Sequence, residues 1–336
     1  MKCVLPESFP GIVFNQDGIC RHCLRFSGRP DLEDRKKRYR AKFEEAVRRV
    51  KDSGGHHAIM SYSGGKDSTY VLSLMSREWG LKILAVTFDN GFLPEQTLVN
   101  IRTVAGNLGL EHIFIRPPFE ILKPLFAGCA ERPVFPPATL TRASTICTAC
   151  MALVKFSTLR LAVERRIPFI LFGWSPGQIP LASSIAKNTS QMSRSRQEAV
   201  IRPIVNLAGE AIKSCFLEER HFRQAGDFPY SVSPLAFLDY DEDRIMTEIA
   251  RLGWKAPSGV DSNSTNCLLN SLANVVHREK HGFHPYAFEL AKLVREGYMG
   301  RDDALAKLSR VENPRTVRRV GRKLGLRRDS IRGRRP

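Results

Sequence analysis

The sequence Ser-Gly-Gly-Lys-Asp-Ser at residues 63–68 separates an apolar segment, residues 57–62, from a stretch with helical spacing, residues 69–75. The apolar segment predicts a β-strand, and the stretch after the glycines predicts a helix. At such a strand-to-helix turn, free backbone N–H groups and the helix dipole together attract an anion. We therefore predict a phosphate site here, with a tight turn carrying incidental polar residues as the alternative.

The side chains of this loop suit phosphate chemistry. Serine hydroxyls donate hydrogen bonds, a lysine adds positive charge, and the carboxylate of Asp67 can position the loop or a Mg²⁺ ion. The loop is not a Walker A motif, because Asp67 rather than Ser or Thr follows Lys66. The predicted phosphate-binding residues are Ser63, Gly64, Gly65, Lys66, Asp67 and Ser68, of which Lys66 and Asp67 are also catalytic candidates.

Three further apolar segments, residues 82–88, 112–115 and 168–173, predict strands with helices between them. Short strands that alternate with helices are typical of an α/β fold of the doubly wound type, in which a parallel sheet has helices on both faces. Ligands of such sheets bind beyond the carboxyl ends of the strands. The glycine loop lies at one of these ends.

The rest of the chain divides by composition. We predict a small Cys-rich knob of the zinc-ribbon kind at residues 1–30, a linker helix at 31–53, the α/β domain at 54–234, a helical region at 235–314 and a basic tail at 315–336. The chain has 52 Lys and Arg against 34 Asp and Glu, a net charge of +18, and the tail carries half of that excess. A block of like charge predicts a solvated tail, with RNA binding as the alternative.

The glycine loop resembles the signature of the PP-loop ATP pyrophosphatases. The resemblance implies that ATP is split between its α- and β-phosphates, that AMP is transferred to a substrate oxygen, and that a nitrogen or sulfur nucleophile then displaces it. It also implies that Phe88, Asp89 and Gly173, which follow predicted strands, lie near the nucleotide. Ordinary strand ends are the alternative for those three residues.

The N-terminal cysteines Cys3, Cys20 and Cys23 lie in a segment without a predicted core, which favours a structural zinc site over unpaired thiols. This segment resembles the N-terminus of the N-acetyl sugar amidotransferases, where two Cys-x-x-Cys pairs occur. Here the first pair is incomplete, because the cysteine three before Cys3 would fall just ahead of Met1. A true start further upstream, completion of the site by His22 or another residue, and loss of metal binding are all open. Residues 293–305 resemble the C-terminal helices of the same enzymes, which implies a glutaminase subunit as partner.

A second Cys-x-x-Cys pair, Cys147 and Cys150, is predicted on a loop at the nucleotide side of the sheet, with Cys267 as a third thiol. The pattern resembles tRNA two-thiocytidine sulfurtransferases, which implies an iron–sulfur cluster with an open coordination position and makes Cys147 and Cys150 catalytic candidates. A zinc site between domains and simple packing are the alternatives.

Three functions therefore compete. The first is ATP-dependent amidotransfer to an N-acetylated sugar, the second is sulfur transfer to a tRNA base or small molecule from a sulfur donor, and the third is a non-catalytic nucleotide-binding module. All three predict ATP and a phosphorylated or nucleotide-linked partner, since the charge favours polyanions. The N-terminus has no secretory signal pattern and no apolar run approaches membrane-spanning length, so we expect a cytoplasmic protein without a membrane partner.

Overall fold

A computed structural model describes residues 2–26, 31–52, 54–223, 228–261 and 263–327. These residues form a six-stranded sheet in the order β3-β2-β1-β4-β6-β5. All neighbouring strands are parallel except β5 and β6, which are antiparallel. The strands are β1 (Ala58–Ser61), β2 (Ile83–Phe88), β3 (His112–Ile115), β4 (Phe169–Phe172), β5 (Ile185–Lys187) and β6 (Tyr230–Val232).

The four predicted strands are confirmed as the consecutive parallel part of this sheet, from the edge strand β3 to β4, and the doubly wound α/β class is confirmed with them. In the register of the central strands, Ser61 of β1 lies between Val86 of β2 and Phe172 of β4. The carboxyl ends of β1 and β4 are therefore level with each other beside the glycine loop, and β2 extends two residues further, to Phe88. The two strands that the sequence analysis missed, β5 and β6, have three residues each.

The described residues also form fourteen α-helices that connect and flank the strands. The helices are α1 (Arg21–Leu24), α2 (Leu32–Val50), α3 (Lys66–Arg77), α4 (Glu95–Asn107), α5 (Phe119–Glu131), α6 (Pro137–Leu140), α7 (Thr145–Glu164), α8 (Ser190–Ala208), α9 (Glu219–Arg223), α10 (Glu242–Arg251), α11 (Leu269–His281), α12 (Ala287–Arg295), α13 (Arg301–Ser309) and α14 (Pro314–Leu324).

Alternating residues of the strands divide between two hydrophobic cores. On one face Ile59, Leu84 and Ile170 pack with α5, α7, α8, α11 and α14. On the other face Met60 and Ala85 pack with α2, α3, α4 and α10. Because the side chains of a strand alternate between faces, both faces of a buried parallel strand must be apolar, as these strands are.

The N-terminal segment packs on the C-terminal helices. Its one-turn helix α1 and the isolated bridge between Phe14 and Cys20 are its regular structure. A third core joins the cysteines of this segment to residues of α12 and α13, and the ring of Phe9 lies 5.2 Å from that of Phe283 and 5.8 Å from that of Phe288. The knob is thus held by aromatic packing as well as by its thiols.

The prediction of a solvated tail is wrong for residues 315–324, which belong to α14. This helix buries Val317, Val320 and Leu324 against α5 and α11. Asn313 caps its first turn by accepting hydrogen bonds from two backbone N–H groups, and Gly325 ends it in the left-handed conformation with φ +76°. The apolar positions recur at intervals of three and four residues, so the basic side chains occupy the outer face of an amphipathic helix. Residues 328–336 lie outside the described residues.

One described helix, α7, is long and apolar enough by length and composition to cross a membrane, with a mean hydropathy of 1.6 over its most apolar 18 residues. More than half of that window is buried inside the protein, where Leu153, Phe156 and Leu159 pack in the first core. The helix thus uses its apolar surface in the core. The cytoplasmic location stays a prediction.

Candidate functional site

The backbone of the glycine loop is fixed by its neighbours. Gly64 has φ +74°, and a Cβ at this position would lie 2.7 Å from Cγ1 of Ile101. The indole N–H of Trp254 donates to the carbonyl oxygen of Gly64 at 2.9 Å. The side chain of Thr265 accepts from the backbone N–H of Lys66 at 3.2 Å. Residues almost 200 positions downstream therefore hold the loop from outside.

The two serines of the loop face each other. Oγ of Ser63 and Oγ of Ser68 are 3.0 Å apart, Ser63 accepts from the backbone N–H of Gly65 at 3.3 Å, and Ser68 donates to the carbonyl oxygen of Gly65 at 3.0 Å. Both serines line a cavity of about 240 Å³, which we call the thiol cavity. Hydroxyls at the N-terminus of α3 are placed where a phosphate would be stabilised.

Gly173 confirms that strand β4 ends against this loop. A Cβ at residue 173 would lie 2.5 Å from both the backbone nitrogen and Cα of Ser68. Real side chains do not approach a backbone so closely, so only glycine fits between β4 and the start of α3. Gly173 also lines the thiol cavity.

We expect Gly173→Ala to distort the phosphate site. The added methyl group must push the first turn of α3 away, and displacements of about 1 Å cost up to about 100-fold in such sites. Isothermal titration with ATP and Mg²⁺ should show at least tenfold weaker binding. Gly106→Ala is the matched control, because a Cβ there meets no atom within 4 Å. Unchanged ATP affinity in Gly173→Ala would contradict the assignment of the loop.

Lys66 is buried in an acidic and phenolic surrounding. Its Nζ lies 2.9 Å from Oδ1 of Asp67, 3.3 Å from the hydroxyl of Tyr240 and 3.7 Å from Oε1 of Glu242. Burial disfavours the ammonium, but these three groups outweigh burial and raise the pKa of Lys66 above its ordinary value. Lys66 is therefore a fixed positive charge at the start of α3, while Tyr240 and Glu242 belong to the part of the chain predicted only as helical.

The three cysteines predicted as a distant trio meet at the same cavity. Cys147, Cys150 and Cys267 all line the thiol cavity together with the loop serines. Asn90, directly beyond β2, directs its amide N–H₂ at the sulfurs of Cys150 and Cys267, 3.4 Å from each. Cys147 and Cys150 lie in the first turns of α7, whose N-cap is Ser144, rather than on the predicted loop. The site therefore combines a phosphate loop with three thiols.

Burial controls the chemistry of these thiols. It raises the pKa of Cys147 to about 12, and it raises the pKa of Cys150 and of Cys267 as well. Such thiols stay protonated at neutral pH unless a bound cation stabilises the thiolates. Among the described residues, their sulfurs are not a set within 4.8 Å of one another, whereas a single zinc ion needs sulfurs about 3.8 Å apart from Zn–S bonds of about 2.3 Å. The three sulfurs therefore do not have the spacing of a single zinc site.

The N-terminal thiols have the narrower spacing. The sulfurs of Cys3, Cys20 and Cys23 lie within 4.8 Å of one another, and those of Cys3 and Cys20 are 3.6 Å apart. This matches one edge of a zinc tetrahedron. His22 does not join them, since its ring packs edge-on against Phe288 at 5.8 Å.

The two residues predicted beyond β2 take different positions. Phe88 lines the thiol cavity. Asp89 instead accepts from the backbone N–H of Gly91 at 2.8 Å and pairs with Arg116 at 2.7 Å, so its carboxylate holds the turn that follows β2. Contact of either residue with a nucleotide stays a prediction.

A larger cavity of about 640 Å³ adjoins the thiol cavity. Met151, Lys155, Phe172 and Trp174 line both. Trp174 stacks on Phe172 with ring centres 4.5 Å apart, and Nζ of Lys155 lies 4.5 Å from the centre of the Trp174 ring. An aromatic wall with a cation is suited to a flat or phosphorylated substrate.

Charged groups of unusual pKa line this larger cavity. Burial and the nearby Arg196 lower the pKa of Lys155 to about 8. Burial raises the pKa of Glu289 to about 7, although Ser175 donates a hydrogen bond to its carboxylate at 2.8 Å. Arg142 and Arg196 also line the cavity. Shifts of this kind at a cleft are typical of functional sites.

Four residues of the site were not predicted from the sequence: Tyr240, Glu242, Trp254 and Thr265. Each reaches the glycine loop through a contact between residues more than 170 positions apart. No short pattern records such a contact. The one available signal was Thr265, because it lies two residues before the cysteine that was singled out at 267.

The likeness of this chain to known proteins is low in sequence identity. No family model matches the chain. A protein of Methanocaldococcus jannaschii, itself uncharacterised, is 23% identical over 317 residues, which are 94% of each chain. Among solved structures, the U34-tRNA thiolase NcsA of Methanococcus maripaludis with its [4Fe-4S] cluster aligns over 82% of each chain at 16% identity and a TM-score of 0.35. At such a TM-score the likeness does not bear on what this chain does.

Proposed function

We propose that this chain is an enzyme of the PP-loop ATP pyrophosphatase type that uses ATP to replace a substrate oxygen with sulfur. One observation carries the proposal: the loop serines Ser63 and Ser68 and the thiols of Cys147, Cys150 and Cys267 line one cavity. An activating nucleotide and a sulfur-handling group would therefore meet at one substrate atom.

The first step uses the glycine loop. The N–H groups at the start of α3, the two serine hydroxyls and Lys66 hold the β- and γ-phosphates, with Mg²⁺ near Asp67. The substrate oxygen attacks the α-phosphorus, the bond to the β-phosphate oxygen breaks, and pyrophosphate leaves. Donors fixed before the reaction stabilise the charge that develops on the leaving phosphates.

The second step takes place in the thiol cavity, next to Cys147, Cys150 and Cys267. A sulfur nucleophile attacks the activated carbon, and AMP leaves with the original oxygen. An iron–sulfur cluster held by three thiolates would leave one iron free to hold that sulfur. Asn90, which donates toward two of the sulfurs, would stabilise their negative charge.

The larger cavity is the proposed substrate site. Its aromatic wall at Trp174 and Phe156 would stack on a base or sugar, and Arg142 and Arg196 would bind a phosphate. A phosphorylated or nucleotide-linked substrate, including an RNA, has this chemistry. We further propose that Cys3, Cys20 and Cys23 hold a zinc ion that ties the knob together.

Amidotransfer with a glutaminase partner is the competing proposal. The volume of the larger cavity, about 640 Å³, favours amidotransfer because it suits a nucleotide sugar. In that reaction ammonia would replace AMP and the three thiols would have only a packing role. A non-catalytic module does not require the two loop serines and three thiols to line one cavity.

Anaerobic purification separates these proposals. We expect a brown protein with about four iron atoms per chain, and Cys267→Ala should lose the iron and the visible absorbance. Cys215→Ala is the matched control, because Cys215 is also buried but lies outside the thiol cavity. A colourless wild-type protein without iron would overturn sulfur transfer and leave amidotransfer.

A further inference from the structure

Three buried side chains form a second cluster outside the thiol cavity. Ligand atoms of Asp261, His284 and Glu312 lie within 4.8 Å of one another. Their side chains are nearly inaccessible, with exposures of 4%, 6% and 9%. Asp261 belongs to the loop after α10, His284 to the connection between α11 and α12, and Glu312 to the connection between α13 and α14. Three separate segments of the C-terminal region therefore converge here.

The two carboxylates have neutral hydrogen-bond donors. Asp261 accepts from the backbone N–H of Asn263 at 2.7 Å, and Glu312 accepts from the amide of Asn274 at 2.7 Å. Within the described ranges, neither carboxylate forms an ion pair with a lysine or arginine. Two carboxylates buried together without a cation cost free energy, which is why buried charges are normally paired or bind metals.

His284 has one ring nitrogen without a hydrogen-bond partner. The Nδ1 atom accepts from the backbone N–H of Tyr286 at 3.2 Å, whereas the buried Nε2 has no hydrogen-bond partner. Oδ1 of Asn274, beside Glu312, is also buried without a partner. Buried polar atoms are nearly always satisfied, so unsatisfied ones around two carboxylates indicate a group that they would bind.

We propose that Asp261, His284 and Glu312 bind a divalent transition-metal ion, Mn²⁺ or Zn²⁺. Two carboxylates and one imidazole match the oxygen and nitrogen preferences of these ions, and the lack of sulfur separates this site from both thiol clusters. On binding through Nε2 the ring proton moves to Nδ1, and the 3.2 Å contact with Tyr286 is given up.

The site would be structural and would order the loop that reaches the glycine loop. Asp261 begins a short segment that carries Thr265, whose hydroxyl holds the backbone of Lys66, and Cys267, which lines the thiol cavity. An ion that ties Asp261 to two helix connections would fix both of these residues. It would do so without contacting a substrate.

Mn²⁺ titration of the full-length, nucleotide-free protein tests the proposal. Thiolates bind Mn²⁺ poorly, so the thiol clusters do not interfere. Electron paramagnetic resonance should show one bound Mn²⁺ per chain, coupled to an imidazole nitrogen. Asp261→Asn and His284→Gln should weaken binding about tenfold or more, and the nitrogen coupling should vanish in His284→Gln. His277→Gln is the matched control, since that buried imidazole also lacks hydrogen-bond partners but lies outside the cluster.

Three results would each overturn the proposed metal site. The wild-type chain could bind no stoichiometric Mn²⁺, the bound Mn²⁺ could lack nitrogen coupling, or Asp261→Asn could bind Mn²⁺ as tightly as the wild-type chain. If both variants fail to fold, the wild-type protein decides alone, because the nitrogen coupling and a Mn²⁺-dependent rise in Tm are each required. None of these measurements depends on iron content or on ATP, so they stand apart from the proposed sulfur transfer.

Discussion

Deletion of residues 314–336 is expected to prevent folding or to lower Tm by an amount on the order of 10–20 °C. The deletion removes Val317, Val320 and Leu324 from the first core. Burial of each such side chain stabilises a protein by about 1.5–3 kcal/mol, and their sum is comparable with the whole free energy of unfolding of a typical protein. Circular dichroism during heating of the full-length and shortened chains measures the loss.

Deletion of residues 328–336 is the control for this experiment. It removes four of the ten basic residues of the terminal segment and leaves α14 intact. We expect Tm to change by less than about 2 °C, because surface changes away from packed features are usually small. A normal Tm in the longer deletion would show that α14 does not contribute to the fold.

The basic terminus shows why composition alone did not predict helix α14. Counting charges over 22 residues averaged two different features, an amphipathic helix and the residues beyond it. Reading the spacing of Val317, Val320 and Leu324 would have predicted the helix, because period and not mean charge determines which face is buried. The position of α14 on α11 is a long-range contact that no local pattern contains.

The glycine loop is the opposite case, since local sequence predicted most of its structure. Two glycines between a strand and a helix required a turn of this kind, and Gly173 was singled out at the end of a later strand. The buried network around Lys66 was not predicted, because Tyr240 and Glu242 come from another region of the chain. The order of the strands in the sheet explains why contacts of this kind escape prediction. β1 and β4 are neighbours in the sheet although 107 residues lie between Ser61, at the end of β1, and Phe169, at the start of β4.

The thiol cluster was predicted in part, between the two cases of the basic terminus and the glycine loop. The spacing of Cys147 and Cys150 predicted that they act together, and helix α7 places them on one side through its first turns. Cys267 was named as a third thiol, but no sequence spacing joined it to this pair. Its place at the thiol cavity depends on the loop after α10, which Trp254 and Thr265 fix to the glycine loop. Tertiary contacts of one loop therefore bring the predicted halves of the site together.

Ser63→Ala is expected to weaken the binding of ATP with Mg²⁺ by about 10- to 100-fold. The hydroxyl of Ser63 lies 3.0 Å from that of Ser68 and lines the thiol cavity, so it is placed to donate to a phosphate. Hydrogen bonds to charged groups contribute about 1.5–3 kcal/mol, which corresponds to this range. Isothermal titration measures the affinity, and pyrophosphate release with a total tRNA pool measures the reaction.

The variant separates binding from stability because Ser63 is only half-buried and its loss leaves no large cavity. Ser73→Ala on helix α3, which follows the loop, is the control, since Ser73 lies two turns beyond the loop and lines neither cavity. Tm should stay within about 2 °C in both variants. Equal ATP affinity in the two variants would mean that the loop does not bind phosphate, and the proposed adenylation would have no site.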